Sequence, residues 1–148
     1  MGDDNRLRAE DLPVGELIDL GSRRVSRAEI IEFAMQWDPQ PFHTDPDFAR
    51  GTVFGDVIGS GLHTLAVFQR LAALNLYRYW ALVAGRAVRN VQLTAPLRPD
   101  TTVRATIRVD SVTPHRGDRS LVRKTGQVLH EDAVLMTVEY EAFVLRRG

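Results

Sequence analysis

Apolar residues recur at helical spacing in the first half of the chain and alternate with polar ones in the second half. Gly15 to Leu20 reads as a short strand. Ser26-Arg27-Ala28-Glu29 has the form of a capping box, in which serine and a glutamate three residues on satisfy each other's orphan backbone donors. Ile30, Ile31, Phe33, Ala34 and Trp37 then follow helical spacing. Pro39 and Pro41 end that helix, because each lacks an N–H and pushes its predecessor toward extended backbone. Asp45-Pro46 predicts a second, short helix, with aspartate as N-cap, proline in the first position and Gly51 as its close.

After Gly59-Ser60-Gly61 a long helix is predicted from about Leu62 to Ala81, apolar on nearly every face and therefore buried. The remainder reads as strands: Ala87 to Leu97, Thr101 to Val112, Ser120 to His130 and Ala133 to Leu145. In the second of these, Val103, Ala105, Ile107 and Val109 fall on one face. Pro114 to Asp118 and Glu131-Asp132 are turn material. An antiparallel sheet with one apolar face needs a cover, and the buried helix supplies it. The expected class is α+β, a sheet wrapped round one long central helix. Residues 1–11 are expected to be a flexible N-terminus, and 12–148 one domain.

Composition narrows the chemistry. Formal net charge is zero, with no basic stripe, so nucleic acid and anionic membrane surfaces are not expected partners. Without cysteine there is no thiol nucleophile, disulfide or thiolate metal site. The polar first ten residues do not resemble a secretory signal, and Leu62 to Val83 is broken by Gln69, Arg70 and Arg78, a poor membrane span. The expectation is a cytoplasmic protein. Lys124 is the only lysine among many arginines, a bias read as genomic and not as a site.

The segment Trp37-Asp38-Pro39-Gln40-Pro41-Phe42-His43-Thr44-Asp45 gathers a carboxylate, an imidazole and an amide between two rigid prolines. Polar groups on a rigid connection beside an apolar body are candidates for function. By residue type alone, Asp38 could instead bond backbone donors at a helix end, and His43 could be a packed ring. Five residues is an odd spacing, so on a plain strand the two would point apart. They converge only if the chain curls.

Asp38-Pro39-Gln40-Pro41-Phe42-His43, followed by five residues and Ala49, resembles the hydratase motif of the MaoC-like family. Gln40 stands where asparagine is common. Phe54 to Thr64 resembles that family's approach to its central helix. Leu97 to Thr101 resembles its R-P-G-D-T turn, with Asp100 at the glycine and Thr101 at the aspartate. The similarity covers about residues 12–145. It implies a hot-dog fold and reversible hydration of trans-2-enoyl thioesters to (R)-3-hydroxyacyl thioesters. Asp38 and His43 would be the acid–base pair on one water, with Gly61 N–H as donor to the thioester oxygen. Gln40, Phe42 and Ser60 are expected to bind substrate, and a coenzyme A or acyl-carrier-protein thioester is the implied partner. A symmetric homodimer, no metal and no other cofactor are also expected.

Other candidates carry less. Gly59 and Gly61 could simply form a flexible helix entry. His63 leaves the helix on another face than Gly61, and His115 and His130 lie near turns. Asp45, Asp47 and Asp56 offer only one neighbouring histidine, a weak ligand set. Arg86 and Arg89 could meet phosphates but read by default as solvated. Two rival functions remain: a hot-dog acyl-CoA thioesterase, disfavoured because the central helix holds no Asp or Glu, and a non-catalytic acyl-binding subunit, disfavoured because Asp38 and His43 are both present.

Overall fold

The computed structural model describes residues 4–148. Its elements run β1 (Leu17–Val25), α1 (Arg27–Trp37), α2 (Pro41–Thr44), α3 (Pro46–Arg50), α4 (Gly61–Asn75), a 3-10 turn (Tyr77–Tyr79), β2 (Leu82–Leu93), β3 (Thr101–Pro114), β4 (Arg119–His130) and β5 (Ala133–Leu145). The strands form one antiparallel sheet in the order β1-β3-β4-β5-β2. It wraps round α4, which packs against β1, β3, β4 and β5. This is the expected hot-dog arrangement.

Local signals account for most boundaries. Ser26 caps α1: its Oγ accepts from Glu29 N at 3.1 Å, and Glu29 Oε2 accepts from Ser26 N at 3.3 Å. Asp45 caps α3 through Oδ1, which accepts from the Asp47 and Phe48 amides. The β3 alternation places Val103, Ala105, Ile107 and Val109 in the core, each fully buried. A glycine seats the helix on the sheet. A Cβ at Gly126 of β4 would come within 2.3 Å of the Phe68 ring on α4, so only glycine lets that ring lie flat here. Phe68 stacks on Tyr140 of β5 with centroids 5.5 Å apart.

Four expectations are corrected. The central helix does not run to Ala81. It stops at Asn75, whose Nδ2 bonds the Leu20 carbonyl at 2.7 Å, and Leu76 turns the chain out of helix (φ −138°, ψ −62°). The apolar run continues because Trp80 and Ala81, in the short connection, are themselves buried. Nor is α4 covered all round: Leu62 and Leu74 are 55% and 45% exposed.

The strand expected at Ala87–Leu97 lies at Leu82–Leu93. Its register slips at three places against β5, which erases the alternation that would mark its start. Residues 4–11, expected to be frayed, are tied down. Leu7 exchanges 2.8 Å backbone bonds with Tyr79 O and Ala81 N, and Ala9 is buried. Residues 1–3 of that expected tail lie outside the described residues.

Asp100, at the position where the resembled turn carries glycine, adopts φ +57°. Aspartate is among the few residues that tolerate this left-handed region. Its Oδ1 also accepts from the Arg27 amide and the Arg24 guanidinium, which fastens the turn to the start of α1. Among the described residues, no helix is long and apolar enough to cross a membrane.

Candidate active site

The two prolines supply the curl that spacing alone left open. Asp38 closes α1, its amide bonding Ala34 O, and Pro39 forbids a further turn. Pro41 then opens α2 as its first residue, a single turn that swings His43 back toward Asp38. His43 Nε2 lies 3.3 Å from Asp38 Oδ2. The His43 ring is almost wholly enclosed, at 5% exposed, whereas the Asp38 side chain keeps 21%.

The surrounding bonds define the state of each group. His43 Nδ1 is 2.6 Å from the Ile58 carbonyl, which can only accept. Nδ1 therefore carries the hydrogen, and in the neutral ring Nε2 presents a lone pair toward Asp38. Ser60 Oγ donates to Asp38 Oδ2 at 2.7 Å, and Gln40 Nε2 donates to Oδ1 at 2.7 Å. These donors, Ser60 foremost, hold the Asp38 carboxyl below the usual aspartate value against the opposing effect of burial. With the ring neutral, a carboxylate oxygen and an imidazole lone pair face each other across 3.3 Å, two acceptors poised to share one donor; with the ring protonated, Nε2–H donates to Asp38 Oδ2.

That pair lies on the wall of a pocket of about 460 Å3, with Phe42, Gly61, Leu93 and Leu97 among the other walls. Gly59 N bonds Leu97 O at 2.7 Å, and Ile58 N bonds Phe42 O at 3.2 Å, so the approach to α4 is stitched to both sides of the pocket. Gly61 is the first residue of α4. Its N–H has no hydrogen-bond acceptor among the described residues. A Cβ at Gly61 would lie 2.2 Å from Leu93 Cδ1, so side-chain bulk there would enter the pocket.

The expected site residues fall into three groups. Asp38, Gln40, Phe42, His43 and Gly61 share the pocket wall. Ser60, expected to touch substrate, is fully buried behind Asp38, its hydroxyl occupied by that carboxylate and by the Leu62 amide it caps. It supports the site from behind instead of lining it. The other histidines stand apart. His63 is buried and stacked on Phe33 at 4.5 Å, and burial pushes its ring below the usual value. His130 faces the Thr102 carbonyl, and His115 is exposed beside Phe143.

Asp45 is occupied as a cap, Asp47 pairs with Arg50, and Asp56 forms a two-pronged pair with Arg27. Among the described residues, no three His, Asp or Glu side chains come together as ligands would. Arg86 and Arg89, read as solvated, are half-exposed and lean on Glu141 at 3.3 and 3.5 Å. Sequence reasoning missed the Ile58 carbonyl and the 93–97 wall, which residue type does not advertise.

Residues 12–132 match the model of the MaoC like domain. Among solved structures, the chain resembles a MaoC-like dehydratase from Rhodospirillum rubrum, with 33% identity, a TM-score of 0.85 and coverage of 96% of this chain and 99% of that one. An (R)-hydratase from A. caviae involved in PHA biosynthesis shares the fold, with 24% identity, a TM-score of 0.73 and coverage of 93% and 99%. The uncharacterized protein YdeM of Bacillus subtilis is 25% identical over 116 residues, 78% of this chain and 82% of that protein.

Proposed function

The chain belongs to the MaoC-like domain family, and from that premise we propose that it hydrates trans-2-enoyl thioesters reversibly to (R)-3-hydroxyacyl thioesters. The observation that carries this reading is the facing pair, Asp38 Oδ2 and His43 Nε2, 3.3 Å apart on a pocket wall. Two acceptors this close repel unless a proton or a donor lies between them. A water molecule meets the need, giving one hydrogen to each and turning its oxygen toward substrate. As that oxygen bonds C3, the pair takes one proton from the water and returns one to C2 on the same face. The two groups act as a unit, because both exchange protons with the same water.

The remaining needs of the reaction also have candidates. Negative charge develops on the thioester oxygen, and the free Gly61 N–H at the positive end of α4 suits it. The apolar walls Phe42, Leu93 and Leu97 suit an acyl chain and exclude bulk water. No metal is required, since the chemistry asks only for proton transfer and an oxyanion donor. The Rhodospirillum relative, named a dehydratase, supports the assignment. The absence of Asp and Glu from α4 counts against a thioesterase using that helix. We assign coenzyme A or acyl carrier protein as the thioester carrier. We also assign a symmetric homodimer, because the β2 edge offers Val83, Val88 and Val91 unburied and an exposed strand edge is a pairing surface.

The test is hydration of crotonyl-CoA and longer enoyl-CoAs, followed as loss of the conjugated thioester absorbance. Asp38→Asn and His43→Gln should each lower the rate by on the order of 10²–10⁴. The double variant should be little slower than either single one. Chiral analysis should return the (R) alcohol. Near-wild-type hydration by either variant, or exclusively (S) product, would overturn the proposal.

A further inference from the structure

On β4, Val122, Lys124, Gly126 and Val128 alternate onto the helix-facing side of the sheet. The chain's only lysine therefore points where its neighbours are core, and it is 2% exposed. Its Nζ lies 2.9 Å from the Tyr77 hydroxyl, 4.1 Å from the Tyr77 ring centroid, and 5.6 and 5.7 Å from the Trp80 and Tyr140 rings. Among the described residues no carboxylate reaches it. Glu141, next in sequence to Tyr140, is engaged instead by Arg86, Arg89 and Arg123.

The groups at the amine itself are mostly donors, and the acceptor that borders the same cavity, Glu141 Oε2, is buried without a hydrogen bond and neutralised by its ion pair with Arg86. An ammonium has three donors, and Tyr77 takes one. Trp80 Nε1 is buried with no hydrogen-bond partner. Burial pushes both the Tyr77 and Tyr140 phenols up, so both stay O–H donors at neutral pH. Aromatic faces offset part of the cost of burying a cation, but they accept no hydrogen bond of ordinary strength. Lys124, Tyr77 and Tyr140 line a cavity of about 390 Å3, closed further by Leu82, Val88 and Gln69. The cavity lies along the first part of β2 (82–88), whereas the Asp38–His43 pocket lies at its end (93–97).

We propose that this cavity is a second ligand site, in which Lys124 and the Tyr77 hydroxyl hold the carboxylate of a small acid and the apolar walls hold its body. A carboxylate is the acceptor that a lone ammonium amid donors lacks, and its charge-assisted bonds are the strong kind. One lysine in an apolar setting suits a singly charged group better than a phosphate dianion, and Arg86 is already paired with Glu141. The site stands independently of the hydratase assignment.

The empty site and the bound site differ in protonation. Without a ligand, burial pushes the Lys124 amine down to about 7. A carboxylate holds the amine charged and raises that value. The groups facing it are Gln69 on α4, Tyr77 and Trp80 in the following turn, Arg86 on β2, and Tyr140 and Glu141 on β5.

Because Lys124 is the sole lysine, protein labelled with ¹³C at the lysine ε-carbon gives one ε-CH2 signal to follow in the full chain. Butyrate, hexanoate and benzoate should move that signal saturably and raise its titration midpoint by about one unit. Reciprocal linkage then makes each carboxylate bind about tenfold tighter to the charged amine than to the neutral one, so its affinity should fall about tenfold from about pH 6 to about pH 9, whereas the primary amides should bind weakly at both. Tyr77→Phe should weaken binding, Lys124→Met should abolish it by calorimetry, and Asp38→Asn should leave it unchanged. Should Lys124→Met fail to fold, the signal of the natural chain still decides. Amides binding as tightly as acids, or no response to any acid at tens of millimolar, would overturn the proposal. So would chloride or phosphate acting equally, an adventitious ion only, or loss of binding in Asp38→Asn.

Discussion

Ser60→Ala removes one oxygen with two duties, and its effect can be worked from the bonds that oxygen makes. Its hydroxyl donates to the Asp38 carboxylate at 2.7 Å and caps α4 by accepting from the Leu62 amide at 3.2 Å. A hydrogen bond to a charged group contributes about 1.5–3 kcal/mol, and a serine cap about 1 kcal/mol. The sum is about 2–4 kcal/mol, or about 5–15 °C of melting temperature for a chain of this size. The same bond is the first cause of the lowered Asp38 value, so its loss moves Asp38 protonation to higher pH. A folded value below the unfolded one contributes stability that is present above the unfolded value, about 4, and lost as pH falls through the folded value. The melting gap between natural and variant chains should therefore be wide at pH 6–7 and shrink toward pH 3, leaving the cap's share.

The acid limb of kcat/KM for enoyl-CoA hydration should shift to higher pH as well, with a rate loss on the order of tenfold to hundredfold from misplacement of Asp38. The measurements are thermal unfolding from pH 3 to 7 and a pH–rate profile. Unchanged melting with a superimposable acid limb, or a gap that widens as pH falls, would refute the assigned role of Ser60.

Gly61→Ala should lower kcat/KM for enoyl-CoA about tenfold or more while the chain stays folded. The added Cβ crowds Leu93 Cδ1 at the pocket mouth, and that exposed side chain can yield at modest stability cost; full activity would show that the thioester does not pass close to the Gly61 Cα. Exhaustive chelation should leave hydration intact, and a metal requirement would contradict the acid–base scheme. Light scattering at micromolar concentration should give a dimer that Val91→Lys on the β2 edge shifts toward monomer; a monomeric natural chain would reject the assembly. Lys124 has a folded value below its unfolded one, so stability should rise with pH between about 7 and 10 in the natural chain relative to Lys124→Met. A flat difference in melting temperature over that range would mean that the amine is not desolvated.

Legibility in the sequence followed how local each cause is. The Ser26–Glu29 box, the Asp45-Pro46 helix start and the β3 alternation are set by residues within a few positions, and the structure has all three. Gly126 and Asn75 act on partners far along the chain, Phe68 and the Leu20 carbonyl, so the helix end at Asn75 could not be read from apolar periodicity. The approach of His43 to Asp38 needed α2, a single turn that no periodicity marks, although Pro41 is in the position that opens it. The position of Ser60 behind Asp38 is not legible in the sequence, because its full burial depends on where α4 docks. Lys124 had a usable signal: a lone lysine in phase with Val122, Gly126 and Val128 lies on a core face, which argues against composition bias as its whole explanation.

The three register slips along β2 bear on how the molecule breathes. Among the described residues this strand has β5 on one side and no strand on the other. In the dissociated subunit its backbone amides should therefore exchange ahead of those of β5 and β4, each of which is flanked on both sides. Leu93 at the end of β2, and the residues through Leu97, form one wall of the Asp38–His43 pocket, while Leu82 to Val88 borders the lysine cavity. Both cavities thus share a boundary that opens readily in the dissociated subunit, and a ligand that fills either one should slow exchange along the whole of β2.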